Sequence, residues 1–257
     1  MMAYEHFTYI DTQKTGSTFI VKFLRTHAKG EPLRFNQHRY VDRKNPPEGL
    51  VDEGHFYFTS CREPLDQYRS LYVAGCEGKG AIRKFNDRNS TALVDTYDGT
   101  PDGFCRWLGF LTGPDRTQYL VPKVQRAFSA ELGLMGCRFL ALNLDGKPPE
   151  LMQDRPRVDL EAAWRDFRLP HTILRQENLR AEFAEVIAGP LRPYMRKPAR
   201  ALRVLDTRQP ANAAKTRSSD MLDAVPPDLR DRVRQLEWFH YDHLGYGDAQ
   251  GQVTQSA

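Results

Sequence analysis

The chain has 257 residues, with 37 Lys and Arg against 33 Asp and Glu, for a formal net charge of +4. That length can bury one sizeable core, as one large domain or at most two small ones. The mild positive excess suits anionic ligands, but it is too scattered to point to nucleic acid, and no apolar run reaches membrane-spanning length.

Met1 to His6 hold no basic stretch leading into an apolar run, so no signal peptide is expected. Cys61, Cys76, Cys105 and Cys137 show neither CxxC pairing nor metal-ligand spacing. They read as reduced thiols, and a cytoplasmic location is the expectation.

Phe7 to Asp11 is aromatic and β-branched and predicts a strand. A polar turn follows, from Thr12 to Gly16. Phe19, Ile20, Phe23 and Leu24 then recur at helical spacing. A strand therefore enters a tight loop that opens directly into a helix, ending near Thr26 to Gly30. Such a helix start offers unpaired N–H groups and the positive end of the dipole, a ready site for phosphate or sulfate. Gly16 allows close backbone approach, Ser17 and Thr18 add hydroxyls, and Lys14 adds a charge. This is not a Walker A loop, because Lys14 precedes the last Gly instead of following it.

Leu33 to Val41 predicts a short extended segment, and Asp42 to Asp52, with Pro46-Pro47, a loop. His55 to Cys61 is the second strong strand. It meets Arg62-Glu-Pro64, and Pro64 suits a helix's first turn. Leu65, Tyr68, Leu71 and Tyr72 give that helix an apolar stripe, with Ser70 among them. A guanidinium at such a strand end can hold phosphate through charge-assisted bonds.

Taken together, Lys14-Thr-Gly-Ser-Thr18 after one strand and Arg62-Glu-Pro64 with Ser70 after another resemble two signatures of the sulfotransferase superfamily. Those enzymes use 3′-phosphoadenosine 5′-phosphosulfate (PAPS) as donor. The likeness is to the bacterial, carbohydrate-directed kind. It implies that Lys14, Thr15, Gly16, Ser17 and Thr18 hold the 5′-phosphosulfate, and that Arg62 and Ser70 hold the 3′-phosphate. It further implies a P-loop NTPase-like α/β fold, with a parallel central sheet flanked by helices. Catalysis of this type uses no metal. Many members carry a catalytic His between the two signatures, and His38 resembles that placement. His27, His55, Glu31, Glu48 and Glu53 remain open as the general base.

Cys76 to Asp102 reads as irregular, Phe104 to Leu111 as a short amphipathic helix, and Gln118 to Leu134 as a helix broken by Pro122. Arg138 to Asn143 reads as a short strand, Lys147 to Pro156 as a loop, and Leu160 to Phe167 as a helix. His171 to Arg175 predicts a third core strand, with Glu177 before a helix from Leu179 to about Leu191. Glu177 suits a structural role there, and a catalytic one stays open. Asp228 to Leu244 predicts the last helix. The segment before it carries Lys215 and Arg217, which the resemblance makes cofactor candidates, although both also suit a solvated loop. Residues 1–247 are expected to form a single domain, and 248–257 a disordered tail. The resemblance is specific at 7–24 and 56–72, softer at 171–179 and 212–246, and absent from about 76 to 135.

The expected reaction moves a sulfuryl group from PAPS to an acceptor hydroxyl, releasing adenosine 3′,5′-bisphosphate. A carbohydrate is the leading acceptor, with a small-molecule alcohol or phenol next. A P-loop kinase or NTPase-like enzyme and a non-catalytic nucleotide-binding protein stay open as alternatives. Neither the oligomeric state nor the precise acceptor is legible in the sequence.

Overall fold

The computed structural model describes residues 1–206 and 219–247. Lys215, Arg217 and the 248–257 tail lie outside the described residues. In chain order, β1 (Met2–Ala3) and β2 (Phe7–Ile10) precede α1 (Ser17–His27). Then come β3 (Arg34–Phe35), β4 (Phe56–Cys61), α2 (Pro64–Cys76), α3 (Ala81–Arg88) and α4 (Pro101–Thr112). Next are α5 (Pro122–Gln125), α6 (Leu134–Asn143), α7 (Pro148–Met152) and α8 (Arg157–Phe167). The chain continues through β5 (Thr172–Arg175), α9 (Leu179–Ala188) and α10 (Pro198–Asp206). It closes with α11 (Ser219–Asp223), α12 (Pro227–Leu236) and α13 (Trp238–His243). The described residues gather into two compact units. The first takes 1–62, 139–148 and 161–206, and the second takes 63–138, 149–160 and 219–247.

The first unit is α/β. Its sheet has the order β3-β1-β2-β4-β5. β2, β4 and β5 run parallel, with Ile10 opposite Thr59 and Cys61 opposite Arg175. The expected parallel central sheet is found in β2, β4 and β5, but the sheet as a whole is mixed, because β1 is antiparallel to both β2 and β3. The reason is the length of the connection. Only Tyr4, Glu5 and His6 separate β1 from β2, and the Tyr4 N–H donates to Phe7 O at 2.8 Å. A turn that short can join only antiparallel neighbours, whereas a parallel pair needs a crossover. Between β2 and β4 that crossover contains α1.

Strand alternation then sorts the side chains. Phe7, Tyr9, Phe58 and Leu174 share one core with Ile20, Phe23 and Leu24 of α1, Phe183 and Ile187 of α9, and Ala201 and Leu205 of α10. Ile10 and Tyr57 belong to a second cluster with Val41, Leu142 and Leu169. Full burial of side chains such as Phe58 and Ile20 contributes about 1.5–3 kcal/mol each. The α1 stripe predicted from Phe19, Ile20, Phe23 and Leu24 is the face that packs.

In the second unit, Tyr68, Tyr72, Phe104 and Trp107 are fully buried and pack ring against ring. Glu237 is also fully buried. It accepts from Tyr68 Oη at 2.6 Å, Met135 N at 3.0 Å and Gly136 N at 2.7 Å. It thereby receives amides from the first turn of α6, where a negative group is favoured. Two expectations fall on this contact. Residues 138–143 belong to helix α6, not to a strand. The predicted helix over 228–244 is two helices that break at Glu237, whose backbone is non-helical (φ −94°, ψ 24°). Apolar runs as short as 138–143 fit either period, and here a distant carboxylate meets the helix start.

Other differences are local. Residues 76–102 contain α3, whose Arg83 and Asp87 pair one turn apart at 2.8 Å, and a 3₁₀ turn at Ala92–Thr96. Residues 118–134 hold the end of a 3₁₀ turn (Arg116–Tyr119) and then α5 before α6 begins, and Gln125 Nε2 turns back onto Thr117 O and Leu120 O. α7 interrupts the expected loop over 147–156, and α10 was not foreseen.

Gly16 is the most closely hemmed glycine of the first unit. Its φ is +85°, and an added Cβ would lie 2.5 Å from Leu179 Cδ2. Both conditions require glycine. Gly16→Ala should therefore destabilise the protein by about 1–3 kcal/mol. A urea midpoint equal to that of the wild type would show that the loop can relax without cost.

Candidate functional site

β2 and β4 are hydrogen-bonded parallel neighbours, so their carboxyl ends deliver Asp11–Thr12 and Cys61–Arg62 side by side. From Thr12 the loop folds through two left-handed residues, Lys14 (φ 65°) and Gly16 (φ 85°). Thr15 between them is fully buried and points inward. Its hydroxyl donates to Thr12 O at 2.8 Å and bonds Ser60 Oγ at 2.7 Å. Ser60 Oγ in turn lies 2.7 Å from Tyr9 Oη. Burial raises the Tyr9 pKa well above the ordinary phenol range, so the row stays neutral.

With Thr15 turned inward, the loop presents backbone and the flanking side chains outward. Gly16 is the N-cap residue of α1, and no side chain caps the helix. Its carbonyl accepts from Phe19 N at 3.0 Å, which starts the first turn. Ser17 is half-buried and Thr18 exposed. Arg62 reaches back to the loop, where Nη1 donates to Lys14 O at 3.4 Å. The arrangement places the Arg62 guanidinium against the backbone of Lys14, just before an uncapped helix start, which is chemistry suited to a phosphate or sulfate dianion.

His38 stands at the same strand end. Its backbone N–H donates to Asp11 Oδ1 at 3.0 Å. Its Nδ1 lies 3.0 Å from Asp11 O, which can only accept, so Nδ1 carries the proton. Asp11 Oδ2 is 3.5 Å from the same nitrogen. Nε2 is then the lone-pair nitrogen, and it bonds no described residue. The backbone of His38 is left-handed (φ 51°), a conformation that costs a non-glycine residue about 1–2 kcal/mol. The Asp11 contacts hold it there.

The rival bases fare differently. His27 ends α1, whose 11 residues put it about 16 Å along the axis from the loop. Burial and the nearby Arg200 and Arg196 lower its pKa. His55 is buried with both ring nitrogens engaged. Nδ1 donates to Val51 O at 2.9 Å, and Nε2 accepts from the Thr8 hydroxyl at 2.9 Å. Glu31 is exposed and lies 3.7 Å from Arg196 Nη2. Glu48 and Glu53 are exposed and precede β4, at the end of the strand away from Arg62.

The structure thus brings Lys14, Gly16, Arg62 and His38 together in the first unit. Ser70 lies half-buried on α2, in the second unit. Glu177 is exposed in the 3₁₀ turn between β5 and α9, whose Leu179 packs on Gly16. The sequence reading missed Asp11 and Ser60. The available signal was position: Asp11 ends the first strand stretch and Ser60 lies near the end of the second, each directly beside a motif. Among the described residues no group of three His, Cys, Asp or Glu side chains is placed to hold a metal ion. No helix among them is long and apolar enough to cross a membrane. Comparison with family models, with curated proteins and with solved structures returned no significant match.

Burial lowers the His55 pKa, because desolvation outweighs the Val51 hydrogen bond that favours the cation. The stability that neutral His55 contributes is fully present above the unfolded value, about 6.5. It is lost as pH falls through the lower folded value. Urea midpoints should therefore drop between neutral pH and about pH 5. The drop should be shallower in His55→Gln, and parallel slopes for the two proteins would exclude this contribution.

Proposed function

We propose that the protein is a PAPS-dependent sulfotransferase. One observation carries the reading: an uncapped helix start, Lys14, Arg62 and His38 meet at the carboxyl ends of two adjacent parallel strands. Ligands of open α/β sheets bind at that end. The parallel trio β2, β4 and β5, with the β2–loop–α1 unit on the central strand of the five-stranded sheet, supports the P-loop NTPase-like sulfotransferase fold as the finer description. The order of residues in the loop favours phosphosulfate over a nucleoside triphosphate, since the Walker A lysine position is filled by other residues.

The donor set fits this ligand. PAPS supplies an activated sulfuryl group. The amides of the α1 start and the Ser17 and Thr18 hydroxyls hold the 5′-phosphate end. Lys14 neutralises charge that grows on the leaving oxygen. Arg62 is the candidate for the 3′-phosphate, with Ser70 as its sequence partner. His38 Nε2 takes the proton of the acceptor hydroxyl, and the Asp11 contacts fix the Nδ1–H tautomer and orient the ring. A carbohydrate hydroxyl is the preferred acceptor class, by analogy with the family. A cytoplasmic setting belongs to the same proposal.

A donor panel tests the assignment. PAPS and adenosine 3′,5′-bisphosphate should bind without added metal, and labelled sulfate should pass from PAPS to members of a sugar and phenol panel. Binding of ATP with Mg²⁺ and none of PAPS would move the protein to the kinase or NTPase class. Binding of PAPS with no transfer to any acceptor would favour a non-catalytic protein. Lys14→Ala should lower turnover by a factor on the order of hundreds, with a smaller loss of PAPS affinity. Equal losses in both would reduce Lys14 to a phosphate contact.

His38→Ala should lower turnover on the order of a hundredfold or more and leave PAPS affinity intact. Asp11 lies in the same contact, so Asp11→Asn should reduce turnover less than His38→Ala does. Normal turnover in His38→Ala would remove the imidazole from the reaction.

A further inference from the structure

The basic residues of the first unit are unevenly placed. Residues 12–30 and 188–205 hold nine Lys and Arg and no Asp or Glu. The chain's net charge of +4 is therefore +9 in these two stretches and −5 in all the rest. The fold joins them. The Lys29 N–H donates to Tyr194 O at 2.8 Å, the Arg196 N–H to His27 O at 2.8 Å, and Arg196 Nε to Ala28 O at 2.7 Å. Thr18, Lys22 and Arg25 recur at helical spacing on the exposed side of α1, and Lys29 follows just past its end. Exposed helix faces gain from opposite charges one turn apart, and this face has none. Eight of the nine cations are exposed, and Arg196 alone among these eight has a described carboxylate in ion-pair range, Glu31 at 3.7 Å.

A buried group in the same place lacks an acceptor. Tyr4 is 3% exposed, and its hydroxyl is a buried atom with no hydrogen-bond partner among the described residues. A phenol so placed normally donates to an oxygen. The charges that act on it are Glu31, Arg25 and Arg196. These three side chains are long and exposed, so they can turn to admit an anionic group while the backbone stays in place. After burial, the causes that lower the His27 pKa are Arg200 and Arg196, as expected where positive charge is not offset.

We propose that this face docks a linear acidic polysaccharide, with sulfate or carboxylate groups repeated along its chain. Arg25, Arg196 and the Tyr4 hydroxyl take one such group, and Lys22, Lys29 and Arg200 take its neighbours. Thr18, Lys22 and Arg25 advance by about 5 Å at each step, which suits a slim chain with one charged unit after another. Duplex DNA presents a charge about every 1.7 Å and is far denser than this track. The track begins at Thr18, in the helix turn next to the candidate loop, so a chain lying on it leads toward the proposed donor site. The choice of a polysaccharide among polyanions rests on the sulfuryl-transfer reading.

The test titrates the full chain, without nucleotide and at fixed ionic strength, with labelled dextran sulfate, neutral dextran, poly-L-glutamate and duplex DNA. Dextran sulfate should bind saturably and at least tenfold tighter than the other three. The triple change Lys22→Gln, Arg25→Gln and Lys29→Gln, all at exposed positions, should weaken it at least tenfold. Gln at Lys44, Lys79 and Lys84, exposed cations outside the two stretches, should weaken it less than twofold. Tyr4→Phe should weaken it severalfold with a urea midpoint no lower than wild type, since the lost hydroxyl has no partner in the free protein. All variants should keep wild-type affinity for adenosine 3′,5′-bisphosphate. The proposal fails if dextran sulfate does not bind, if neutral dextran or DNA binds as tightly, or if the two triple variants lose affinity alike. It fails equally if poly-L-glutamate matches dextran sulfate, which would make the partner an acidic protein segment, or if Tyr4→Phe binds like the wild type. The two readings fail separately: wild-type protein that binds no adenosine 3′,5′-bisphosphate overturns the sulfotransferase assignment, whereas the docking face is decided by dextran sulfate.

Discussion

A row of buried hydroxyls holds the candidate loop from within. Tyr9 Oη, Ser60 Oγ and Thr15 Oγ1 run in sequence to the carbonyl of Thr12, linking β2, β4 and the turn between β2 and α1. A buried hydroxyl left without a partner costs about 1–3 kcal/mol. Each of these is satisfied by the next, so removing one would strand its neighbours. The row also decides which way the loop faces. Thr15 has its side chain committed to the interior, and the turn must bring it there while Lys14 and Gly16 take left-handed backbone on either side. Everything assigned to the outer face, the helix start and the two cations, depends on that inward anchor.

Parts of this were legible in the sequence. The strand–turn–helix from Phe7 to His27 is local: its apolar positions alternate and then recur at helical spacing, and Gly16 marks the turn. The same holds for β4, the Pro64 start of α2, and β5. What the sequence could not show were contacts between distant residues. β1 is two residues long, too short for any pattern, and its antiparallel pairing follows from a three-residue turn. The start of α6 depends on Glu237, about a hundred positions later, so its apolar run could pass for a strand. The break in the last helix is the other side of that same contact.

The site was legible to a similar extent. Lys14, Gly16 and Arg62 belong to compact motifs, and the parallel pairing of β2 with β4 puts the two motifs at one edge. His38 could be singled out only by its place between them, because the segment around it has almost no regular structure. Its setting comes from Asp11, a residue that reads in sequence as the end of a strand. The hydrogen bonds used by His55 and the distance along α1 to His27 separate these rings from His38 in a way that spacing alone cannot.

The contact between Asp11 and His38 has a consequence for how this chain can vary. One buried carboxylate receives the backbone N–H of a residue in an unfavourable conformation and lies beside its ring. A substitution at 11 that removes the carboxylate frees the strained backbone at 38 to relax, and the ring moves with it. A substitution at 38 to glycine or asparagine relieves the strain and leaves a buried carboxylate with one partner fewer. In lineages descended from this sequence, the two positions are therefore a single unit of inheritance. They would be retained as a pair or exchanged as a pair, and an isolated change at either one should leave the other with a contact unmet.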